Sequence, residues 1–168
     1  SWLAWVTGEA QGAMHLRFEQ VYASADFASA EALLRQFIAD AQTTVLPDVL
    51  VLALPGPLHA QRVILTNLDW TVDAGSLQTV LGIAEVQLIN DFQAAAAGVA
   101  ALSAADRVAL NPQPAEPGGV RVITGAGTGL GLAFMLADDR GHYRTFATEG
   151  GHIDFAPASP VQVRRLER

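Results

Sequence analysis

The stretch VQLINDF, residues 86–92, decides the fold class of this chain. A short β-rich run from Val86 to Ile89 predicts a strand, and an alanine-rich segment from Phe92 to Leu102 predicts a helix directly after it. Asn90 and Asp91 therefore stand between a strand and a helix, at the edge of an α/β sheet where ligands bind. A carboxylate there can accept a proton from an attacking hydroxyl, and an amide can hydrogen-bond a neighbouring hydroxyl. The alternative is that Asp91 only caps the helix.

Strands and helices alternate on both sides of this stretch, so the chain is predicted to be mixed α/β. Apolar residues at helical spacing predict a helix over residues 29–41, and Asp73 and Gly82 bound a second helix that ends at Leu81. The continuous apolar run from Val49 to Leu54 is typical of a strand buried on both faces. The remaining predicted strands are residues 2–6, 14–22, 62–66, 120–124, 130–137 and 143–147, and a short helix is predicted from residue 161.

The stretch GAGTGLG, residues 125–131, places four glycines where one predicted strand ends and the next begins. Glycine allows backbone N–H groups to approach a phosphate closely, and Thr128 can add a hydroxyl donor. The glycine spacing and the strand that follows do not fit the dinucleotide fingerprint, and the absence of lysine excludes a P-loop. We therefore predict a phosphate-binding β-hairpin, with a plain tight turn as the alternative.

The stretch TEGGHID, residues 148–154, places Glu149 and His152 on either side of two glycines. The chain can then fold both side chains around one small ligand. A carboxylate accepts hydrogen bonds from paired sugar hydroxyls, and an imidazole can donate or accept. The alternative is a glycine-rich turn with a surface Glu. No metal ligands are predicted, because the four histidines are scattered without the spacing of a zinc site.

The composition excludes several classes of protein. With 168 residues, 51% hydrophobic and 16% charged, the chain can bury a packed core in one domain or in one domain and part of another. A net charge of -7 without a basic stripe argues against nucleic-acid binding, and no apolar stretch is long enough to span a bilayer. Without cysteine there are no disulfides, and a cytoplasmic location is expected. Without lysine there is no Schiff-base chemistry.

The order of these segments resembles that of bacterial glucokinases outside the ROK class of sugar kinases. The resemblance rests on LTNLDW at residues 65–70, LINDF at 88–92, GAGTGLG at 125–131 and EGGHIDFAP at 149–157, and it extends from residue 1 to the end of the chain. It implies an actin-like, ribonuclease H-like α/β fold, with a mixed sheet, flanking helices and two lobes. It also implies ATP-dependent phosphorylation of the 6-hydroxyl of glucose, a step of glycolysis.

The resemblance assigns roles to individual residues. By match to the family's motifs, Asp91 would be the general base that accepts the proton of the sugar hydroxyl. Four positions would bind sugar hydroxyls: Asn90, Glu149, His152 and the backbone at Gly129. Three positions would form a phosphate-binding loop for ATP, with Mg²⁺ neutralising charge: Gly127, Thr128 and Gly129. The expected partners are glucose and ATP, without nucleic acid or membrane, and a homodimer is left open.

The resemblance also implies a chain cut at both ends. The family begins with an Asp-x-Gly-Gly-Thr phosphate loop that is expected just before Ser1, and its last sugar-binding Glu and adenosine-binding segment are expected beyond Arg168. We predict a small α/β lobe over residues 1–110 and the start of a second lobe over residues 111–168. The 168 residues by themselves are expected not to turn over glucose.

Three other functions stay open at this point. A ROK-type kinase or repressor would carry a cluster of zinc-binding cysteines shortly after the Gly-His element, and the sixteen residues after His152 contain none. A non-enzymatic sugar-sensing module would keep the sugar pocket without the ATP site. A kinase for another hexose would share the pocket residues found here.

Overall fold

The structure, a computed structural model, describes all residues except 9–13, 112, 115, 128, 155, 167 and 168. It confirms the mixed α/β class, with nine strands and four α-helices in the described residues. The chain divides into two compact units, Ser1–Asp91 and Phe92–Arg168. The predicted lobe boundary between residues 110 and 111 stays a prediction.

The first unit opens with an antiparallel hairpin of β1 (Trp2–Thr7) and β2 (His15–Val21). The register runs from Trp2 opposite Val21 to Thr7 opposite His15, with an irregularity between Trp5 and Val6. Both predicted strands are therefore confirmed as a pair. The turn predicted at residues 8–12 lies mostly outside the described residues.

The two predicted helices of this unit are confirmed, the first of them one residue shorter at each end than predicted. The Ser29 side chain accepts from the Ala32 N–H at 3.1 Å at the start of α1 (Ala30–Asp40). Asp73 Oδ1 accepts from the Ser76 N–H at 2.8 Å at the start of α2 (Ala74–Leu81), and Gly82 ends α2 with a φ of 70°. Each cap pairs an N–H that has no partner inside the helix, which is why these boundaries follow from local sequence.

A parallel strand pair leads to the candidate site. β3 (Val49–Leu54) runs beside β6 (Glu85–Asn90), from Val49 opposite Glu85 to Leu54 opposite Asn90. The prediction that β3 is buried on both faces is wrong, because Val49 and Val51 are 48% and 49% exposed. The core cluster of this unit contacts only the opposite face of β3, which carries Leu50, Leu52 and Leu54. A continuous apolar run cannot show which of its two faces is covered.

A second hairpin supplies much of the core. β4 (Arg62–Leu65) pairs antiparallel with β5 (Trp70–Asp73), a strand that the sequence did not predict. The two strands alternate, so that their inward side chains are buried: Val63, Leu65, Trp70 and Val72. These four residues pack with apolar side chains of α1, α2 and β6 in one cluster. The carboxyl end of β6 is therefore supported by a packed core.

The second unit is a three-stranded antiparallel sheet with a helix on one face. Its strands are β7 (Arg121–Ala126), β8 (Leu130–Ala137) and β9 (Tyr143–Thr148), in that order. Ala96 of α3 (Asp91–Ala101) is fully buried against Ala133 and Met135 of β8. Small side chains at this contact let the helix lie close to the sheet. The helix α4 (Pro160–Leu166) follows the sheet.

Three 3₁₀ helices lie between these elements, at Ser24–Asp26, Ala104–Asp106 and Gly150–His152. Within the described part of the chain, no helix is long and apolar enough to cross a membrane.

The hydrogen-bonded phenol of Tyr22 stabilises the first unit, and this contribution is lost at alkaline pH. Its hydroxyl donates to Asp40 Oδ2 at 2.7 Å. Partial burial, followed by the hydrogen bond and charge of Asp40, raises the pKa of Tyr22 from 10.0 to about 12. The folded chain therefore holds this proton more tightly than the unfolded chain, so the contribution is intact below pH 10 and is lost as the pH rises towards 12.

We expect Tyr22→Phe to remove this part of the decline in the free energy of unfolding between pH 10 and pH 12, measured by urea denaturation. Gln36→Ala is the control, because it removes the other hydrogen bond of Asp40, from Gln36 Nε2 to Oδ1 at 2.8 Å, and leaves the phenol in place. Identical alkaline profiles for wild type and Tyr22→Phe would contradict the prediction.

Candidate active site

The carboxyl end of β6 carries Asn90 and Asp91. One edge of β6 pairs with β3, with Ala53 opposite Ile89 and Leu54 opposite Asn90. The helix α3 begins at Asp91, which is exposed, whereas Asn90 is partly buried. The two polar side chains thus follow the carboxyl end of a parallel strand pair, which is where open α/β sheets bind ligands.

The side chain of Gln61 pairs with the other edge of β6. Its Nε2 donates to the Leu88 carbonyl at 3.2 Å, and its Oε1 accepts from the Leu88 N–H at 2.7 Å. One amide side chain therefore takes the place of a neighbouring strand. Gln61 has a φ of 60° and Ala60 a φ of 49°, a left-handed conformation that few non-glycine residues adopt. This local strain is offset by the pair of hydrogen bonds to the strand that leads to Asp91.

The predicted glycine hairpin is formed by β7 and β8. Gly125 lies opposite Gly131 and Ala126 opposite Leu130. The Gly127 N–H donates to the Gly129 carbonyl at 2.8 Å and closes the hairpin, so this amide is already used within the loop. Gly127 and Gly129 are exposed at the tip, and Thr128 lies outside the described residues. An exposed loop of glycines is able to receive a phosphate, and its use for that purpose stays a prediction.

Glu149 and His152 come together in the turn after β9. A 3₁₀ helix at Gly150–His152 brings His152 Nδ1 to 3.2 Å from Glu149 Oε2. Both side chains are mostly exposed, at 64% for Glu149 and 77% for His152. The carboxylate and the imidazole thus form one polar pair that a small ligand can reach, with the imidazole able to orient the carboxylate.

The Glu149–His152 turn packs directly against the glycine hairpin. A Cβ atom at Gly151 would lie 1.7 Å from the Leu130 carbonyl oxygen, so the two backbones touch at a distance that only glycine permits. Leu130 is the first residue of β8, directly after Gly129. Within the second unit the structure therefore brings two of the three predicted motifs together. Asn90 and Asp91 belong to the first unit.

The sequence did not predict Gln61 as a site residue, nor the close contact at Gly151. It also did not predict that the Phe92 ring lies on Gly131, where a Cβ atom would be 1.7 Å from Phe92 Cε2. Gly131 offered a signal, because a glycine inside a predicted strand often marks a close approach of another group. Gln61 offered none, since its partner Leu88 is distant in sequence. Within the described ranges, no three His, Asp or Glu side chains are grouped as a metal ion would require.

Comparison with known proteins covers nearly the whole chain. A family model described as glucokinase matches residues 2–168. A glucokinase of Synechocystis sp. is 40% identical over 154 residues, which are 89% of this chain and 43% of that protein. A glucokinase of Nostoc punctiforme is 38% identical over 164 residues, which are 96% of this chain and 46% of that protein. The chain thus spans less than half the length of these curated relatives.

A solved structure has the same fold. The crystal structure of a glucokinase from an Antarctic psychrotroph matches 98% of this chain with a TM-score of 0.80 and 26% sequence identity. The match covers 51% of that protein. The fold predicted from the sequence, an actin-like α/β fold, is therefore confirmed.

Proposed function

The chain belongs to the glucokinase family, and on that premise we propose that the whole protein uses ATP to phosphorylate glucose at its 6-hydroxyl. The chain covers about half of the solved relative, so the proposal concerns an enzyme of which these residues form a part. The observation that carries it is the contact between Gly151 and the Leu130 carbonyl. That contact joins two side chains that can bind sugar hydroxyls to a glycine loop that can receive a phosphate.

The joined elements match what a sugar kinase needs. The carboxylate of Glu149, 3.2 Å from His152 Nδ1, can accept hydrogen bonds from adjacent sugar hydroxyls. The exposed hairpin tip at Gly127 and Gly129 can approach a transferring phosphoryl group without side-chain obstruction. Phosphoryl transfer depends mainly on positioning and charge stabilisation, so a rigid junction between the sugar and phosphate elements favours the reaction.

Asp91 is proposed as the general base. It would accept the proton of the 6-hydroxyl as the phosphoryl group transfers, and Asn90 would hold a neighbouring hydroxyl. Support comes from the strand end that carries both residues, which β3 holds on one edge and Gln61 on the other. A base that directly follows a strand paired on both edges has its backbone held in place, which favours proton transfer from the hydroxyl.

The nucleotide would meet the loop at Gly127, Thr128 and Gly129. Because the Gly127 N–H already donates to the Gly129 carbonyl, phosphate binding through that amide requires the loop to open at this bond. Mg²⁺ would neutralise phosphate charge. We propose that it arrives bound to ATP. Within the described residues no three His, Asp or Glu side chains are grouped as its ligands would be.

The test is ATP consumption by the full-length protein with a panel of hexoses, followed by identification of the phosphorylated carbon. We expect glucose to be the best acceptor, with phosphate on its 6-hydroxyl. Preference for another hexose would show that the reaction is correct and the assigned substrate is wrong. Glucose binding without ATP consumption would show that the protein is a sugar-sensing module and not a kinase.

We expect Glu149→Gln to raise the KM for glucose roughly 10- to 100-fold, because a hydrogen bond to a charged group contributes about 1.5–3 kcal/mol. The KM for ATP should stay unchanged. Asp139→Asn is the matched control, since it also removes one exposed carboxylate from a turn of the same unit. Equal glucose KM values for Glu149→Gln and Asp139→Asn would show that Glu149 does not bind the sugar.

A further inference from the structure

The aromatic ring of Phe92 lies on the glycine pair at the base of the hairpin. A Cβ atom at Gly131 would lie 1.7 Å from Phe92 Cε2, and one at Gly125 would lie 3.2 Å from Phe92 Cε1. Gly125 and Gly131 face each other across β7 and β8, so the ring covers both strands at once. The ring therefore occupies the space that two side chains would otherwise fill.

The backbone does not explain why residue 131 is glycine. Gly131 lies in the regular part of β8 and pairs with Gly125 across the ladder, a conformation that any L-residue adopts. A Cβ atom at that position is excluded by the Phe92 ring alone among its nearest atoms. The absence of a side chain at position 131 thus leaves the space that the Phe92 ring occupies.

Phe92 is the residue directly after Asp91 and belongs with it to the first turn of α3. The next residue also anchors this turn, since Gln93 Nε2 donates to the Thr145 carbonyl of β9 at 3.3 Å. Further along, Ala96 is fully buried against Ala133. The start of α3 is thus held on the sheet at successive positions, and Phe92 is the one whose ring lies on Gly125 and Gly131.

We propose that Phe92 is a positioning residue for the phosphoryl transfer: its ring, seated on Gly125 and Gly131, fixes the base of the hairpin whose tip carries Gly127 and Gly129. The proposal rests on the proposed function, in which this hairpin binds the phosphates of ATP. A loop that contacts the transferring phosphoryl group must be held within a fraction of an ångström of its working place, and a misplacement of about 1 Å is able to lower the rate about 10²-fold.

The test compares Gly131→Ala, Phe92→Ala and the double variant in the full-length protein. In Gly131→Ala the new methyl group pushes the ring and the base of the hairpin apart, so we expect kcat to fall about 10²-fold while the KM for glucose changes little. Phe92→Ala should reduce kcat less, because the hairpin loses its support but is not pushed away. The double variant should regain the kcat of Phe92→Ala, since without the ring the methyl group has room.

Gly98→Ala is the matched control. It adds a methyl group to the same helix at a glycine whose Cβ would meet nothing within 4 Å, so kcat should equal that of wild type. All values are expressed per folded molecule, from unfolding curves of each variant, which separates positioning from loss of folded protein. If Gly131→Ala does not fold, Phe92→Leu takes its place in the test, because it keeps an apolar side chain without the flat ring. We expect this variant to have a lower kcat and an unchanged KM for glucose.

Three results would overturn the proposal. They are a wild-type kcat per folded molecule in Gly131→Ala, a double variant no more active than Gly131→Ala, and a wild-type kcat in Phe92→Leu. A wild-type protein that phosphorylates no sugar rejects the proposed function itself, and the role of Phe92 with it. Wild-type activity together with any of the three results rejects Phe92 alone.

Discussion

Asp91→Asn in the full-length protein is expected to lower kcat about 10²- to 10⁴-fold, the usual contribution of a general base. Asparagine has nearly the same size and can still hydrogen-bond the sugar hydroxyl, but it cannot accept the proton. The KM for glucose should therefore change little. The measurement is steady-state kcat and KM with glucose varied at saturating ATP.

Asp73→Asn is the matched control for this substitution. Asp73 also stands where a strand passes into a helix, and its Oδ1 caps α2 by accepting from the Ser76 N–H. Asparagine caps helices about as well as aspartate, so kcat and stability should both stay near wild type. If Asp91→Asn retained wild-type kcat, Asp91 would be only a residue at the start of a helix, and another group would have to accept the proton.

Gly151→Ala is expected to destabilise the second unit and to weaken glucose binding together. The added Cβ would lie 1.7 Å from the Leu130 carbonyl oxygen and 2.7 Å from the Leu130 carbonyl carbon, so one backbone must move. Overpacking costs typically about 1–3 kcal/mol, and a clash between backbone atoms belongs at the upper end or beyond. The displaced segment carries Glu149 and His152. The same clash that lowers the stability therefore moves these two side chains away from the hairpin and weakens glucose binding.

Urea unfolding and glucose titration of the same variant measure the two effects. Gly98→Ala is again the control, because its Cβ meets no atom within 4 Å and it replaces glycine inside α3. It should raise the free energy of unfolding by about 0.5–1 kcal/mol and leave glucose affinity unchanged. A Gly151→Ala variant as stable as wild type, with unchanged glucose affinity, would show that the turn does not depend on its contact with Leu130.

Much of the local structure could be predicted because its causes are local. Ser29, Asp73 and Gly82 bound their helices through hydrogen bonds and a φ of 70° that involve only the next few residues. Strands β1, β2 and β8 follow from apolar runs and turns that are contiguous in sequence. β5, Trp70–Asp73, was missed because it passes directly into a helix, with its last residue serving as the cap of α2.

The prediction for β3 failed for a different reason. Its run of Val, Leu and Ala is apolar on both faces, and the pattern alone cannot say that the core contacts Leu50, Leu52 and Leu54 while Val49 and Val51 are half exposed. Burial depends on which elements pack on each face of the sheet. That is a property of the assembled layers and not of the strand.

The sequence by itself determined the α/β class, the helix boundaries and the three polar or glycine-rich motifs, since each depends on neighbours along the chain. Only the tertiary structure decided that Gly151 touches the Leu130 carbonyl, that Phe92 covers Gly125 and Gly131, and that Gln61 pairs with Leu88. These contacts join residues that are far apart in sequence. Two of them arise from the packing of the Glu149–His152 turn and of α3 on the sheet, and the third from the residue before β4 lying beside β6. No local pattern encodes any of the three.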